Sequence, residues 1–371
     1  MPIARSDRSV LGRWWWTVDH WTLACIGVLL VLGVFLIQAA SPAGALHLGQ
    51  GGFYFVERHL IQLAIGVMIM IGLSLLTPAQ IRVAALILFI ISFALVIVTI
   101  YFGVEVKGAR RWLHLPGMSV QPSEFLKPAF IVMCARLFSR KYETPNFPGQ
   151  WLAAGLYLMV IAALLSQPDM GMTVLISTVF AAQLLLSGAP LIVIGGLFVI
   201  GVGGIGLGYI LLPHVASRIN RFINPDSGDT YQITRSLEAF HNGGWFGVGP
   251  GEGQVKMSLP DAHTDFIFPV AGEEFGLIAC LFIVLLFAFI VLRGFWRLSK
   301  ESNFFVFLAV AGLLIEFGLQ AVINMGSALH LLPTKGMTLP FISYGGSSLL
   351  ALSISAGMLL ALTRKRAGAD R

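Results

Sequence analysis

Residues 83–104 read VAALILFIISFALVIVTIYFGV, a run without one charged side chain. At 1.5 Å per residue, a helix of this length reaches about 33 Å, enough to cross a hydrocarbon layer of about 30 Å. A helix also pairs its own backbone N–H and C=O groups where no water can do so. Working outward, similar runs occur at Trp21–Ala40, Leu60–Leu76, Phe125–Phe138, Leu152–Leu165, Met172–Leu186, Leu191–Leu212, Phe266–Leu292, Phe304–Ile323 and Gly345–Leu362. None alternates polar and apolar residues as the strands of a membrane barrel would. Hydrophobic residues make up 57% of the chain and charged ones 11%, far below the soluble norm of about 25% charged, so a water-soluble globule is excluded. The expected fold is all-α integral membrane. It is a polytopic bundle of about ten transmembrane helices in a single domain spanning 1–371, with a long extracytoplasmic loop between helices 7 and 8.

The net charge of +6 does not indicate a nucleic-acid partner, because the cations sit in short clusters beside apolar runs. Arg5, Arg8 and Arg13; Arg136, Arg140 and Lys141; Arg293, Arg297 and Lys300; and Arg364, Lys365 and Arg366 form four such groups. Basic clusters mark cytoplasmic loops, so both termini are expected in the cytoplasm, as an N-terminal segment 1–19 and a tail 363–371. Trp14, Trp15 and Trp16 suit an interfacial belt or an amphipathic segment on the inner leaflet. The first apolar run is long enough to span and reads as a retained anchor rather than a signal peptide. Cys25, Cys134 and Cys280 each lie inside an apolar run without CxxC spacing and read as core residues.

Two external connections carry positive charge that an anionic ligand can use. Residues 104–124 contain Lys107, Arg110 and Arg111, and the large periplasmic loop 213–264 contains Arg218, Arg221, Arg235 and Lys256. Within that loop, Tyr231–Phe240 has the helical spacing of a short surface helix. The glycines from Gly243 to Gly253 read as a mobile loop over a site.

Ionisable groups at the rim of a bilayer are functional candidates. Asp265, in DAHTDFIF (261–268), stands where the long loop enters a span. It reads either as a carboxylate facing a polar cavity or as a helix N-cap. Glu124 and Lys127 share a helix face, as an ion pair or as catalytic groups. Arg110 and Arg111 suit phosphate oxygens, with interfacial anchoring as the competing reading. Gln167-Pro-Asp reads as a turn with a helix cap. Glu273 and Glu274 read as a hydrogen-bond hub or as support for Asp265, and Glu316, Gln320 and Asn324, four residues apart, as interhelix glue. His263, with Asp261 and Asp265, is a candidate for a divalent cation. The proline- and glycine-rich segment 332–348 reads as a bent, partly re-entrant stretch bringing Lys335 to the same outer face.

The strings KGARRWLHLPGMSVQPSEFLK (107–127), SQPDMGMT (166–173), LPDAHTDFIFPVAGEEFG (259–276) and LPTKGMTLPFISYGGSS (332–348) resemble the signature segments of the SEDS family of shape, elongation, division and sporulation proteins. The resemblance runs from the first span to the last, and Asn324-Met-Gly with Pro333-Thr-Lys-Gly is most similar to the division branch. It departs at Asp261, where relatives often carry Glu. The resemblance implies a peptidoglycan glycosyltransferase acting on lipid II at the outer face of the bacterial cytoplasmic (inner) membrane, at the division septum. It implies Asp265 as essential acid, with Glu124 and Lys127 in its catalytic cavity. Gln121 and His263 would serve in substrate binding, with Arg111, Arg218, Arg221 and Lys335 on the diphosphate. It leaves open a divalent cation (Mg or Mn), and it implies a class B penicillin-binding protein transpeptidase, other division proteins and membrane lipids as partners. A lipid II flippase and a non-catalytic scaffold recruiting the transpeptidase are the competing functions. Release of undecaprenyl pyrophosphate with glycan growth separates the polymerase from both.

Overall fold

A computed structural model of the chain describes residues 9–365 apart from 48, 50, 107, 116–117, 145, 212, 224–230 and 334–335. A short helix, α1 (Val10–Thr17), is capped by Ser9, whose Oγ accepts from the Gly12 amide at 3.0 Å. The Trp14 indole donates to Ser74 Oγ at 2.8 Å, fastening α1 to the third helix while Trp15 and Trp16 stay exposed. There follow α2 (His20–His47), α3 (Tyr54–Ser74) and α4 (Pro78–Phe102). Pro78 is tolerated at the first turn of α4, and Thr77 and Gln80 close a reciprocal capping box there.

An antiparallel sheet then joins α4 to the next helix, with strands β1 (Val104–Val106), β2 (Ala109–Leu115) and β3 (Met118–Val120) in that order. The sequence reading took this stretch as a charged external connection and assigned it no strands. Its strands are too short to show a clear period of two. The helices α5 (Pro122–Glu143), α6 (Gly149–Ser166), α7 (Met170–Leu186) and α8 (Leu191–Leu211) come next. The large loop carries α9 (Pro213–Ile223), α10 (Tyr231–Gly243) and α11 (Val255–Ser258), and the chain ends with α12 (Ile267–Leu298), α13 (Phe304–Ala328) and α14 (Gly346–Leu362).

Each of the ten apolar runs coincides with one helix, shifted by a few residues at its ends. Among the described residues seven helices are long and apolar enough to cross a membrane, and α7 and α14 are shorter apolar helices. α5 is more polar and extends well beyond the run 125–138, because Glu124, Lys127 and the cations at its end interrupt the hydrophobicity without interrupting the helix. It packs on α4, α6, α7, α13 and α14. Burial sets the layering: 72% of the apolar window of α13 is buried against 6% of that of α8. α13 is therefore central, and α8 presents apolar side chains outward, as a lipid-facing helix does.

Arg13, Arg293, Arg297 and Arg364, from three of the basic clusters, gather at one end of the bundle. There Arg293 forks onto Asp19 at 2.7–3.1 Å, Arg297 approaches Asp19 at 3.3 Å, and Arg364 donates to Thr17 Oγ1 at 3.0 Å. At the other end, the glycine-rich stretch departs from the expected mobile loop. Gly276 (φ 77°, ψ −176°) breaks α12. Two helical bonds are replaced by four to the loop: Leu277 N donates to Gly244 O (2.9 Å) and Ile278 N to Trp245 O (3.3 Å), while Val248 N donates to Glu273 O (2.9 Å) and Gly249 N to Glu274 O (3.1 Å). A Cβ on Gly247 would collide with the Glu274 carbonyl, and one on Gly276 with Trp245 and Gly247. Gly243, Gly247 and Gly276 serve close approach between backbones.

Candidate functional site

The segment Leu259–Phe266 delivers Asp265 to the end of the bundle opposite the termini. Thr264 N and Phe266 N both donate to Asp261 O (3.0 and 3.3 Å), making a tight turn with Asp261 at φ 55°. Asp265 is half-buried. The N-cap of α12 is Phe266, without a side-chain capping bond, so the N-cap reading of Asp265 falls. Its carboxylate lies against the α-carbon of Gly336: a Cβ there would sit 3.2 Å from Oδ2. One amide group holds both sides of this contact, because Asn324 Nδ2 donates to Asp265 O at 2.9 Å and to Met337 O at 2.6 Å.

One and two turns deeper along α13, Gln320 and Glu316 meet Lys127. The Lys127 ammonium, 1% exposed, lies 2.9 Å from Glu124 Oε2 and 3.5 Å from Glu316 Oε1, and donates to Gln320 Oε1 at 2.6 Å. Gln320 Nε2 in turn donates to Thr338 O at 3.1 Å. The structure thus makes the 316/320/324 stripe a polar column from the buried ammonium to Asp265, more than the interhelix glue of the sequence reading. The buried Lys127 cannot itself touch a sugar, which corrects its assignment as a catalytic group. Glu124 retains slight access.

Other expected residues take different places. Arg111 donates from Nε to Gln167 O at 3.2 Å and from Nη2 to Pro168 O, with Asp169 at 3.9 Å. Its guanidinium fastens the 167–169 turn, while its side chain keeps partial exposure. Asp169 caps α7 through Met172 N at 3.2 Å, in accord with the turn-and-cap reading. Gln121 donates from its side chain to Ser123 Oγ at 3.2 Å and from its backbone to Ser347 Oγ at 2.9 Å, positioning the start of α5.

His263 stacks on Phe55 with ring centroids 4.0 Å apart, beside Tyr344, whose amide donates to the His263 carbonyl at 2.8 Å. Burial pushes its pKa down to about 4, against a smaller opposing effect of Asp261. The stacked ring forms part of the wall with Phe55 and Tyr344. Among the described residues no three His, Cys, Asp or Glu side chains come together to hold a metal.

Glu273 does not support Asp265. It accepts from Asn242 Nδ2 (3.0 Å) and from the amides of Gln254, Val255 and Lys256 (2.8–2.9 Å), and Lys256 pairs with Glu274. Arg218 and Arg221 belong to α9, but their side chains, like Lys335, lie outside the described residues. Sequence reasoning missed α9. Its signal was the spacing of Val215, Ile219 and Phe222 among polar residues.

Residues 20–368 match the profile of the FtsW/RodA/SpoVE family, described as cell cycle protein. The chain is 46% identical over 367 residues to a probable peptidoglycan glycosyltransferase FtsW of Caulobacter vibrioides, covering 99% of this chain and 94% of the relative. It is 35% identical to the protein of the same name in Hydrogenovibrio crunogenus, covering 97% and 94%. Among solved structures it resembles a chain of a peptidoglycan synthase complex that coordinates polymerization and crosslinking (TM-score 0.78, 24% identity, 93% of this chain and 97% of the other). It also resembles the rod shape determining protein RodA of Thermus thermophilus (TM-score 0.69, 24% identity, 93% and 96%). These two likenesses establish a common fold.

Proposed function

The chain belongs to the FtsW/RodA/SpoVE family of cell cycle proteins, and we propose that it is a peptidoglycan glycosyltransferase that polymerises lipid II into septal glycan and releases undecaprenyl pyrophosphate. The observation that carries this reading is the Asp265 carboxylate, half-buried at the bundle end away from the termini and braced from α13 through Asn324. A base for sugar chemistry needs this combination of access and fixed position. Relatives named peptidoglycan glycosyltransferase that align along nearly the whole chain support it.

In the proposed reaction Asp265 takes the proton from the C4 hydroxyl of the acceptor sugar. The oxygen forms a bond to C1 of the donor as the bond from C1 to the diphosphate oxygen breaks, inverting the anomeric centre. Negative charge grows on the departing undecaprenyl pyrophosphate, and cations fixed beside it lower the barrier. With Arg111 engaged on the 167–169 turn, that task falls to Arg218, Arg221 and Lys335. Glu124 and the buried Lys127 set the charge around the base. The apolar helix faces receive the polyprenyl tails.

The protein is an integral membrane protein. In the proposed setting it lies in the inner membrane at the septum with both termini cytoplasmic, and works with a class B penicillin-binding protein transpeptidase. The test is polymer formation from lipid II by purified Asp265→Asn and Asp265→Ala chains, alone and with the cognate transpeptidase. Loss of on the order of 10²-fold or more in rate is expected for removal of a general base. Wild-type rates in folded variants remove Asp265 from the mechanism.

A further inference from the structure

The geometry points to Glu316 as a positioning residue for this transfer, acting through Lys127 and Gln320 on the wall against which Asp265 rests. The inference depends on Asp265 being the base. Lys127 is among the largest fully buried side chains in the described chain, and its charge is shared between carboxylates on two helices. Glu124, three residues earlier on α5, is a local partner that moves with the same helix. Glu316 is fully buried on α13, and its other oxygen accepts from Ser355 Oγ of α14 at 3.4 Å. It therefore ties the α5 ammonium to α13 and α14, which Glu124 does not do.

The consequence runs through one amide. An ammonium only donates, so Lys127 holds the oxygen end of Gln320 toward itself and turns the NH2 end away. That end donates to Thr338 O at 3.1 Å and lies 3.4 Å from Thr338 Oγ1, while Thr338 Oγ1 also shares a 2.6 Å hydrogen bond with Ser348 Oγ. Two residues before Thr338, Gly336 meets the Asp265 carboxylate; between them Met337 O is held by Asn324. Glu316, Gln320 and Asn324 stand at i, i+4 and i+8, on one face of α13. With Glu316 neutral, Lys127 keeps one carboxylate, Glu124 on its own helix, so its ammonium is no longer drawn toward α13, its hold on the Gln320 oxygen loosens, and one of the two braces from α13 to the 336–338 wall weakens.

The test is initial-rate polymerisation by the full-length chain with its cognate transpeptidase, at varied lipid II, for Glu316→Gln, Glu316→Asp, Lys127→Met and the Lys127→Met/Glu316→Gln pair. Misplacing a reacting group by about 1 Å costs on the order of 10²-fold. Glu316→Gln should accordingly lose about 10–100-fold in kcat, with KM for lipid II nearly unchanged. Glu316→Asp, which restores the charge, should recover part of the loss. The pair should be no slower than Lys127→Met alone, because both changes break one linkage. Wild-type kcat in Glu316→Gln, a loss confined to KM, or losses that multiply in the pair would overturn the proposal. Should Glu316→Gln alone fail to fold, the pair, which leaves no ammonium buried, carries the test, and wild-type kcat in it overturns the proposal equally. Asp265→Asn is assayed alongside: if it polymerises normally the base assignment fails, whatever Glu316 does.

Discussion

Glu273 offers a direct measure of how firmly the glycine-rich loop is held. Its buried carboxylate accepts four hydrogen bonds, from the Asn242 side chain and from the amides of Gln254, Val255 and Lys256 at the start of α11. Glu273→Ala removes all four acceptor contacts and leaves those amides unsatisfied. At about 1 kcal/mol net per bond the local loss is about 3–4 kcal/mol, on the order of 10²–10³-fold in the opening equilibrium. Hydrogen exchange of peptides covering 244–258 reads this opening directly. Protection there should fall by that factor, while peptides from the middle of α13 keep theirs. Glu273→Gln, which retains a carbonyl acceptor, should fall about halfway. Exchange within a few-fold of wild type for Glu273→Ala would refute the argument that this side chain anchors the loop in addition to the four backbone bonds around Gly276.

Three further outcomes follow from the same structure. His263 has a folded pKa of about 4 against an ordinary value of 6.5, so the unfolded chain binds the extra proton between those values. Stability from this group is therefore lost as pH falls from about 6.5 towards 4, reaching about 3 kcal/mol. His263→Phe keeps the stack on Phe55 and should flatten that part of the melting-temperature profile; a parallel profile would contradict the assignment. Gly276→Ala places a side chain at φ 77° against Trp245 and Gly247, and should destabilise by at least about 1–2 kcal/mol in thermal melting. Asp19→Ala leaves Arg293 and Arg297 without their shared carboxylate. It should cost about 2–4 kcal/mol in the same assay with no change in KM for lipid II; an unaltered melting temperature would show that the pair contributes nothing.

How far the site was legible depends on which forces are local. Asp265 could be singled out because a charge at the mouth of an apolar run stands out against its neighbours, and the 167–169 cap because its bonds close within four residues. The contacts of Arg111 and His263 were hidden for the opposite reason. The partners of Arg111 lie 56 and 57 residues away, and the ring under His263 belongs to Phe55. Neither relation leaves a trace in spacing. The glycines between 243 and 253 were read by their conformational freedom, which Gly244, Gly249 and Gly251 use, whereas Gly243 and Gly247 also serve proximity to α12, which composition does not reveal.

By itself, then, the sequence determined that the chain is a polytopic helical membrane protein and roughly where its ten apolar helices run, because hydrophobic length is a property of contiguous residues. Tertiary structure alone decided that Lys127 meets Glu316 across 189 positions, that Gln320 and Asn324 carry the contact onward to the Asp265 segment, and that α12 opens at Gly276 to receive the 244–249 loop. These pairings arise because a buried charge or a broken helical bond must find a partner wherever packing brings one.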